Sequence, residues 1–189
     1  TTKTRFNTRL GAIEGVRDGD IHIFQGIRFG AAPTGNLRFQ AAQPSGGWNG
    51  ILDASTAGNR SLQPVPTGNE LFAILSRRDV ASETYDEDCL FLNIYTPASM
   101  GKRPVMVWIH GGGFSTGSGS EHCGDVLAGQ GDVVVVTINY RVGLLGFMDM
   151  SAYGDQYQGS ASGGISDQIL ALEWVRDNIA DYGGDAGNV

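Results

Sequence analysis

The sequence is poor in cysteine and in positive charge, and it has no long apolar run. Its 189 residues contain two cysteines, too few for a disulfide framework, and neither lies in a CxxC or in zinc-type spacing. Thirteen lysines and arginines against twenty acidic residues give a net charge of −7. This balance argues against nucleic-acid binding, because that affinity depends on neutralising phosphates. No apolar run approaches the roughly 18 residues that cross a bilayer. We therefore expect no metal, no nucleic-acid partner and no membrane segment.

Glycine, by contrast, is abundant, with 29 residues. The glycines follow no fixed period, which excludes collagen and solenoid repeats. The apolar fraction of 41% is too high, and the charged fraction of 17% too low, for a disordered chain. The length predicts about one domain and suffices to bury a core.

Apolar runs along the chain predict a sheet of several strands. Residues 1–30 alternate as strands do, around a two-residue turn at Asp18-Gly19. Three further strands are predicted at 90–95, 105–109 and 133–138. The last two are continuous apolar runs, which are typical of strands covered on both faces by helices. The stretch 31–84 is rich in proline and predicts loops, with a short helix at 71–77.

The clearest helical pattern covers residues 166–181. Ser166 is the predicted N-cap, and Gly183-Gly184 ends the helix. Apolar residues at three- and four-residue steps predict one buried stripe. They are Ile169, Leu172, Val175 and Ile179. A shorter helix is expected within 120–130, and strands followed by helices in this way predict an α/β fold.

The strongest chemical signal is His110-Gly111-Gly112-Gly113, directly after the predicted strand 105–109. Consecutive glycines let the backbone adopt conformations closed to other residues. Their N–H groups can then converge on an oxygen that carries negative charge. Loops of this HGGG type supply oxyanion-hole donors in α/β-hydrolases. The alternative is a plain glycine-rich loop or a phosphate nest; the position after a buried strand and the preceding histidine favour the oxyanion hole.

A rival motif overlaps this one. Residues 113–117, GFSTG, match the G-x-S-x-G pattern of a nucleophile elbow and make Ser115 a candidate nucleophile. In that fold the base follows the serine and the acid, whereas the only later histidine, His122, stands seven positions on. One short turn also cannot supply both the attacking oxygen and the oxyanion donors. We therefore predict that Ser115 is a polar loop residue.

Longer segments resemble one family, in order, along nearly the whole chain. They are FQGI at 24–27, PTGNLRF at 33–39, EDCLFLNIY at 87–95, the oxyanion stretch at 104–114, NYRVG at 139–143 and parts of 167–189. Together they are similar to the N-terminal portion of the type-B carboxylesterases, the carboxylesterase/cholinesterase branch of the α/β-hydrolases. This resemblance covers several long motifs and carries implications for fold, mechanism and stability.

For the fold, the resemblance implies that residues 1–189 are the N-terminal part of a single α/β-hydrolase domain. Its central sheet would be mostly parallel, with a small N-terminal antiparallel hairpin. In this family the nucleophilic serine lies about six residues past the position of Val189, and the acid and histidine follow later. The chain stops after a helix, where an α/β protein enters its next strand. We therefore expect the elbow, the acid and the base beyond residue 189 or in a second chain.

For the function, the resemblance implies a serine carboxylesterase: it hydrolyses a small-molecule carboxylic ester through an acyl-enzyme and uses no metal, nucleotide or flavin. Gly112 and Gly113 are expected to donate backbone N–H bonds to the oxyanion, while Gly111 and Phe114 contact the substrate. Replacing Gly113 with proline is expected to remove one donor and leave the fold largely intact. His110 is expected to orient the loop. The alternative is a non-catalytic binding or adhesion protein of the same fold, which has no need of the intact glycine run.

The resemblance also assigns structural roles. The expected buried ion pairs are Arg38 with Glu87 and Arg141 with Asp167. The family's loop disulfide is not expected, because Ser61 stands where Cys89 usually finds its upstream partner. This absence weakens the case for an oxidising compartment, and the sequence opens at Thr1 without a visible leader, so the compartment stays open. Between Ser61 and Cys89 there is no tryptophan, which argues against a specialist for quaternary ammonium esters.

Overall fold

The computed structural model describes residues 1–64 and 83–189, and their strands form one mixed sheet. The strands are β1 Thr2–Thr8, β2 Gly11–Asp18, β3 Ile21–Arg28, β4 Ile51–Asp53, β5 Phe91–Thr96, β6 Val105–Ile109 and β7 Val134–Ile138. They lie in the order β1-β2-β3-β5-β7-β6, with β4 beside β2. Pairing is antiparallel from β1 through to β7 and parallel between β7 and β6 and between β2 and β4. The antiparallel part is thus larger than the expected small hairpin, and the described sheet is mostly antiparallel instead of mostly parallel; its parallel pairs are β6 with β7 and β2 with β4.

Three α-helices lie within the described residues. They are α1 Asp125–Gly131, α2 Gly143–Phe147 and α3 Gly163–Asn178. Short 3-10 turns surround them, including one at Gly119–Glu121 and another, Ile179–Tyr182, that extends α3. The helix expected within 120–130 is therefore present as α1, whereas the helix predicted at 71–77 lies outside the described residues.

The hairpin of β2 and β3 turns one residue later than predicted. Asp18 pairs with Ile21, so the two turn residues are Gly19 and Asp20. Gly19 takes a φ of 55°, in the left-handed region that glycine adopts without steric cost. Glycine is therefore the first residue of the turn, and Asp18 is the last residue of β2.

The buried face of α3 differs from the predicted stripe. Ile169 and Leu172 are exposed, although Val175 and Ile179 are buried as expected. The other residues that α3 buries are small, polar or aromatic: Gly163, Gly164, Asp167, Ala171, Trp174 and Asn178. Hydrophobicity alone gives the wrong phase, because this helix turns a buried carboxylate toward the sheet.

The sheet is covered by helices on both faces. The main core joins alternate residues of the central strands, such as Val134 and Val136, to Val175 of α3. A smaller cluster on the opposite face packs Val135 against Ala128 of α1. The described helices include none long and apolar enough to cross a membrane.

β6 is the outer strand of the described sheet, and it is less buried than predicted. Every residue of β7 is buried, whereas Met106, Trp108 and Ile109 of β6 are exposed. The chain after α3 returns to the outer edge of β6. There Arg103 and Gly184 form a parallel bridge, and the Val105 N–H donates to the Asn188 carbonyl at 2.9 Å. Residues 184–188 therefore run along β6 in the same direction as that strand.

Candidate active site

The glycine loop, residues 110–117, begins where β6 ends at Ile109. Its conformation requires glycine at Gly112, where φ is +114° and a Cβ would overlap the carbonyl oxygen of Thr116. Gly113 and Phe114 also take positive φ values, +59° and +60°. Phe114 is a non-glycine residue in the left-handed region, and such strain is found most often at functional sites. The loop is therefore a specific, strained turn at the carboxyl end of a strand.

Several backbone N–H groups of this loop, those of Gly112 and Gly113 among them, have no acceptor in the described part of the chain. The Ser115 and Thr116 N–H groups both donate to the Gly112 carbonyl, at 3.1 and 3.2 Å, and close the turn. The N–H groups of Gly112 and Gly113 have no acceptor within the described part of the chain, and both residues are exposed. Peptide N–H groups without an internal partner at a tight turn are suited to bind an anionic oxygen.

Proline at position 113 is not the clean test that the sequence suggests. Gly113 has a φ of +59°, whereas a proline ring holds φ near −65°. Gly113→Pro would therefore deform the turn as well as delete one N–H. The variant would therefore not isolate the loss of one donor, and the expectation that the fold stays largely intact remains a prediction.

An open pocket of about 470 Å³ lies beside the loop. Its lining is Gly113, Phe114, Ser115, Gly143, Leu144 and Phe147. The ring centroids of Phe114 and Phe147 are 4.9 Å apart, and the two ring planes are tilted by 52° to each other. The Gly143 N–H donates to the Phe114 carbonyl at 2.6 Å, which ties α2 to the loop. Phe114 thus lies at an apolar surface next to the unused donors, and Gly111 is exposed at the start of the same turn.

His110 is buried at the base of the loop. Its Nδ1 lies 2.9 Å from the Gly111 carbonyl oxygen and therefore carries the proton of the neutral ring. Burial lowers the pKa of His110. Its Nε2 has no hydrogen-bond partner within residues 1–64 and 83–189. The neutral imidazole of His110 is bonded to its own loop. It stabilises the backbone of that loop and is poorly placed to transfer protons.

The rival nucleophile has no base beside it in the described residues. The Ser115 hydroxyl donates to the Gly113 carbonyl at 3.3 Å. The ring of His122 packs edge-on against Trp108, with ring centroids 4.7 Å apart. No hydrogen bond joins Ser115 to a histidine in the part of the chain that the structure covers.

The two expected ion pairs form, but they differ in burial. Arg141 and Asp167 are 2% and 0% exposed. Both the guanidinium and the backbone N–H of Arg141 donate to the Asp167 carboxylate, at 2.7–3.2 Å. Arg38 and Glu87 form a two-point pair at 2.6 and 2.7 Å, yet they are 44% and 20% exposed. The expectation that Arg38 and Glu87 are buried is wrong, because both come from surface loops outside the sheet's covered faces.

Sequence reasoning missed several buried or half-buried polar residues near the loop. Arg60 forms ion pairs with Glu83 and Glu121, each at 2.8 Å, and is almost fully buried. Gln63 and Tyr140 bond directly to the glycine loop. Tyr140 follows a buried strand within the NYRVG motif, which was a usable signal. Nothing in the sequence around Arg60 and Gln63 distinguishes them from solvated loop residues.

The two cysteines are free, Cys89 buried and Cys123 exposed. Burial raises the pKa of the Cys89 thiol to about 12, and the neighbouring Ser61 hydroxyl opposes this rise. Ser61 therefore occupies the place beside Cys89 that the resemblance gives to a second cysteine. Among the described residues, no group of three or more His, Cys, Asp or Glu is arranged to hold a metal ion.

This chain is similar to several known esterases and carboxylesterases. A model of the carboxylesterase family matches residues 2–189. The para-nitrobenzyl esterase of Bacillus subtilis (strain 168) is 40% identical over 185 residues, which are 96% of this chain and 36% of that protein. Carboxylesterase 3 of Homo sapiens is 42% identical over 189 residues, 98% of this chain and 32% of that protein. A crystal structure of a carboxylesterase from Geobacillus stearothermophilus superposes with a TM-score of 0.85 at 40% identity, over 96% of this chain and 36% of that one.

The chain thus spans between 32% and 36% of the length of these curated relatives. The likeness to the solved carboxylesterase extends over strands and helices alike, so the predicted α/β-hydrolase fold is confirmed. The match of the family model to nearly every residue confirms the predicted family. This chain belongs to the carboxylesterase family.

Proposed function

We propose that the protein carrying this chain hydrolyses carboxylic esters through a serine acyl-enzyme, and that this chain supplies its oxyanion hole. One observation carries the proposal. The N–H groups of Gly112 and Gly113 are exposed, have no acceptor within the described residues and stand at the carboxyl end of β6. The relatives, which carry the names of esterases and carboxylesterases, support the same activity.

The chemistry assigned to the loop is stabilisation of negative charge. A serine hydroxyl from the rest of the protein attacks the ester carbonyl and passes its proton to a histidine. The carbonyl oxygen becomes an oxyanion and accepts hydrogen bonds from Gly112 and Gly113. The alcohol then leaves with the proton, and water releases the acid from the acyl-serine. One donor of this kind contributes about 3–4 kcal/mol to the transition state, or 10²–10³ in rate.

The path of the chain after α3 supports a nucleophile supplied from beyond Val189. Residues 184–188 lie beside β6 and run parallel to it. A strand continued in this direction travels along β6 toward Ile109 and the glycine loop. Adjacent parallel strands end at the same edge of a sheet, so a turn that follows this strand would deliver its side chains next to Gly112 and Gly113.

The pocket beside the loop supports an apolar acyl group. Phe114, Leu144 and Phe147 line it, and no charged side chain is among the described residues that line it. Apolar walls bind a hydrocarbon chain by removing its surface from water. We assign this pocket to the acyl side of the ester, because it adjoins the oxyanion donors directly.

Labelling of the reactive serine tests the mechanism. The full-length protein is assayed with p-nitrophenyl butyrate, treated with an organophosphate and digested for mass spectrometry. We expect hydrolysis, its loss on labelling, and a label on a serine outside Thr1–Val189. A label on Ser115 would contradict the assignment of the nucleophile. If no serine is labelled and no ester is hydrolysed, the alternative of a non-catalytic binding protein is favoured.

Substitution of Gly112 tests the loop. Alanine at this position cannot keep a φ of +114° and would overlap Thr116, so the donors would be displaced. We expect kcat of Gly112→Ala to fall about 10²-fold or more, the effect of losing one donor. Gly46→Ala is the matched control, since Gly46 has ordinary φ and an added Cβ there would meet no atom within 4 Å. Equal kcat values for the two variants would refute the oxyanion assignment.

A further inference from the structure

The two ends of the glycine loop meet at its base. Gly117 has a φ of +113°, and a Cβ there would overlap Nδ1 of His110. Both residues are buried, whereas Gly111–Ser115 between them are exposed. The loop is therefore closed at a buried base, and the N–H groups of Gly112 and Gly113 stand on its exposed part. Whatever holds the base determines the direction in which those donors point.

Gln63 holds the Gly117 end with its side-chain amide. Its Oε1 accepts the Gly117 N–H at 2.7 Å, and its Nε2 donates to the Gly117 carbonyl at 2.9 Å. The second hydrogen of Nε2 goes to the Ser61 carbonyl at 3.0 Å. Both amide hydrogens and the amide oxygen of Gln63 are thus in use. A pair of hydrogen bonds to one residue fixes its orientation as well as its position.

Tyr140 holds the His110 end in two ways. Its hydroxyl donates to the His110 carbonyl at 2.8 Å. Its ring stacks on the imidazole with centroids 4.2 Å apart and an interplanar angle of 9°. Both groups are buried, so water cannot replace this hydrogen bond. Tyr140 lies two residues after the end of β7, a fully buried strand, and is thereby fixed to the sheet.

We infer that Gln63 and Tyr140 are positioning residues of the oxyanion hole, acting through the two ends of the glycine loop. The inference rests on the proposed function. Neither side chain bonds to Gly112 or Gly113, so neither is a donor to the oxyanion. Glycine-rich backbone has the largest freedom to lose on ordering, and a donor displaced by 1 Å can cost about 100-fold in rate. Fixing both ends of the loop from outside limits that displacement.

The test uses two variants in the full-length protein, each with a matched control. Gln63→Met removes all three amide bonds at similar side-chain length, and Gln43→Met is its control, since Gln43 is exposed and makes one 3.3 Å bond to the Ala41 carbonyl. Tyr140→Phe removes only the hydroxyl and keeps the stacked ring. Tyr182→Phe is its control, because the buried Tyr182 hydroxyl has no partner among the described residues.

Two readouts separate positioning from general stability. Kinetics with p-nitrophenyl butyrate should show kcat reduced between about 10-fold and 100-fold in Gln63→Met and Tyr140→Phe, with KM little changed and the melting temperature retained. A trifluoromethyl ketone, which forms a tetrahedral oxyanion on the serine, should lose affinity by the same factor. Both controls should match the wild type. A fall in kcat that tracks loss of folded protein, or no fall at all, would overturn the inference.

Hydrogen exchange gives an answer that does not depend on activity. The N–H groups of Ser115, Thr116 and Gly117 are hydrogen-bonded in the closed loop. We expect their exchange to quicken in Gln63→Met and Tyr140→Phe and to be unchanged in the controls. Unchanged exchange in both variants would overturn the inference even if the enzyme is active. If the wild type hydrolyses no ester, the proposed function fails, while exchange still decides whether these two residues fix the loop.

Discussion

Removing the negative charge of Asp167 should destabilise the protein far more than removing that of Glu87. Both carboxylates form two-point pairs with an arginine, at similar distances. Asp167 is fully buried and also accepts the Arg141 backbone N–H at 2.9 Å. Asp167→Asn leaves the Arg141 guanidinium buried without a counter-charge and turns an amide N–H₂ toward cationic donors.

The magnitude follows from burial. Breaking a buried ion pair by removing one partner costs about 3–5 kcal/mol, because the remaining charge is left uncompensated in a poorly solvated site. The Arg141 backbone N–H loses a charged acceptor as well, so we expect the upper part of that range. At Glu87 the partner Arg38 is 44% exposed and returns to water when the pair is broken. Glu87→Gln should therefore stay close to the wild type.

The assay is equilibrium unfolding of the full-length protein in urea, followed by far-UV circular dichroism. Asp167→Asn should lower the midpoint strongly, or prevent accumulation of folded protein, at an unchanged m-value. Glu87→Gln should shift the midpoint little. Similar midpoints for the two variants would refute the reasoning, since burial is the property that distinguishes the two pairs.

Two further predictions concern the cysteine and the histidine near the site. Ser61→Cys should form a disulfide with Cys89 under oxidising conditions, and closing the loop between them should stabilise the protein by about 3–4 kcal/mol in the chain-entropy treatment; peptide mapping that finds two free thiols would contradict this. Because burial lowers the pKa of His110, the folded state binds this proton less readily than the unfolded state. The free energy of unfolding should therefore be fully retained above the ordinary histidine pKa of 6.5 and fall as the pH drops below it. An NMR titration in which His110 has a pKa at or above 6.5 would contradict this assignment.

The strands could be predicted from the sequence because their signal is local. The apolar runs at β5, β6 and β7 fall within a residue of the observed bounds. The phase of α3 could not be predicted in the same way. Asp167 is buried by an arginine 26 positions away, and hydropathy counts it as a surface residue. The stripe assigned to Ile169 and Leu172 is wrong for that reason.

The position of the glycine loop could likewise be predicted, because HGGG follows β6 directly. One of its two anchors, Gln63, could not. Gln63 contacts Gly117 although 54 positions separate them in the chain. A contact between residues so far apart leaves no periodic pattern in the sequence. The left-handed φ of Phe114 is equally invisible, since phenylalanine has no preference for that region. Only the three-dimensional structure gives the contact between Gln63 and Gly117 and the backbone conformation of Phe114.

The ion pair between Arg141 and Asp167 joins the end of β7 to the start of α3. The intervening residues, 142–166, therefore begin and end close together in space, beside this ion pair. They include Leu144 and Phe147, which line the pocket. Gly143 must be kept, since its N–H bonds to Phe114 of the glycine loop, but under the proposed function changes elsewhere in this excursion would alter which acyl chains the pocket accepts while the ion pair keeps its two ends in place.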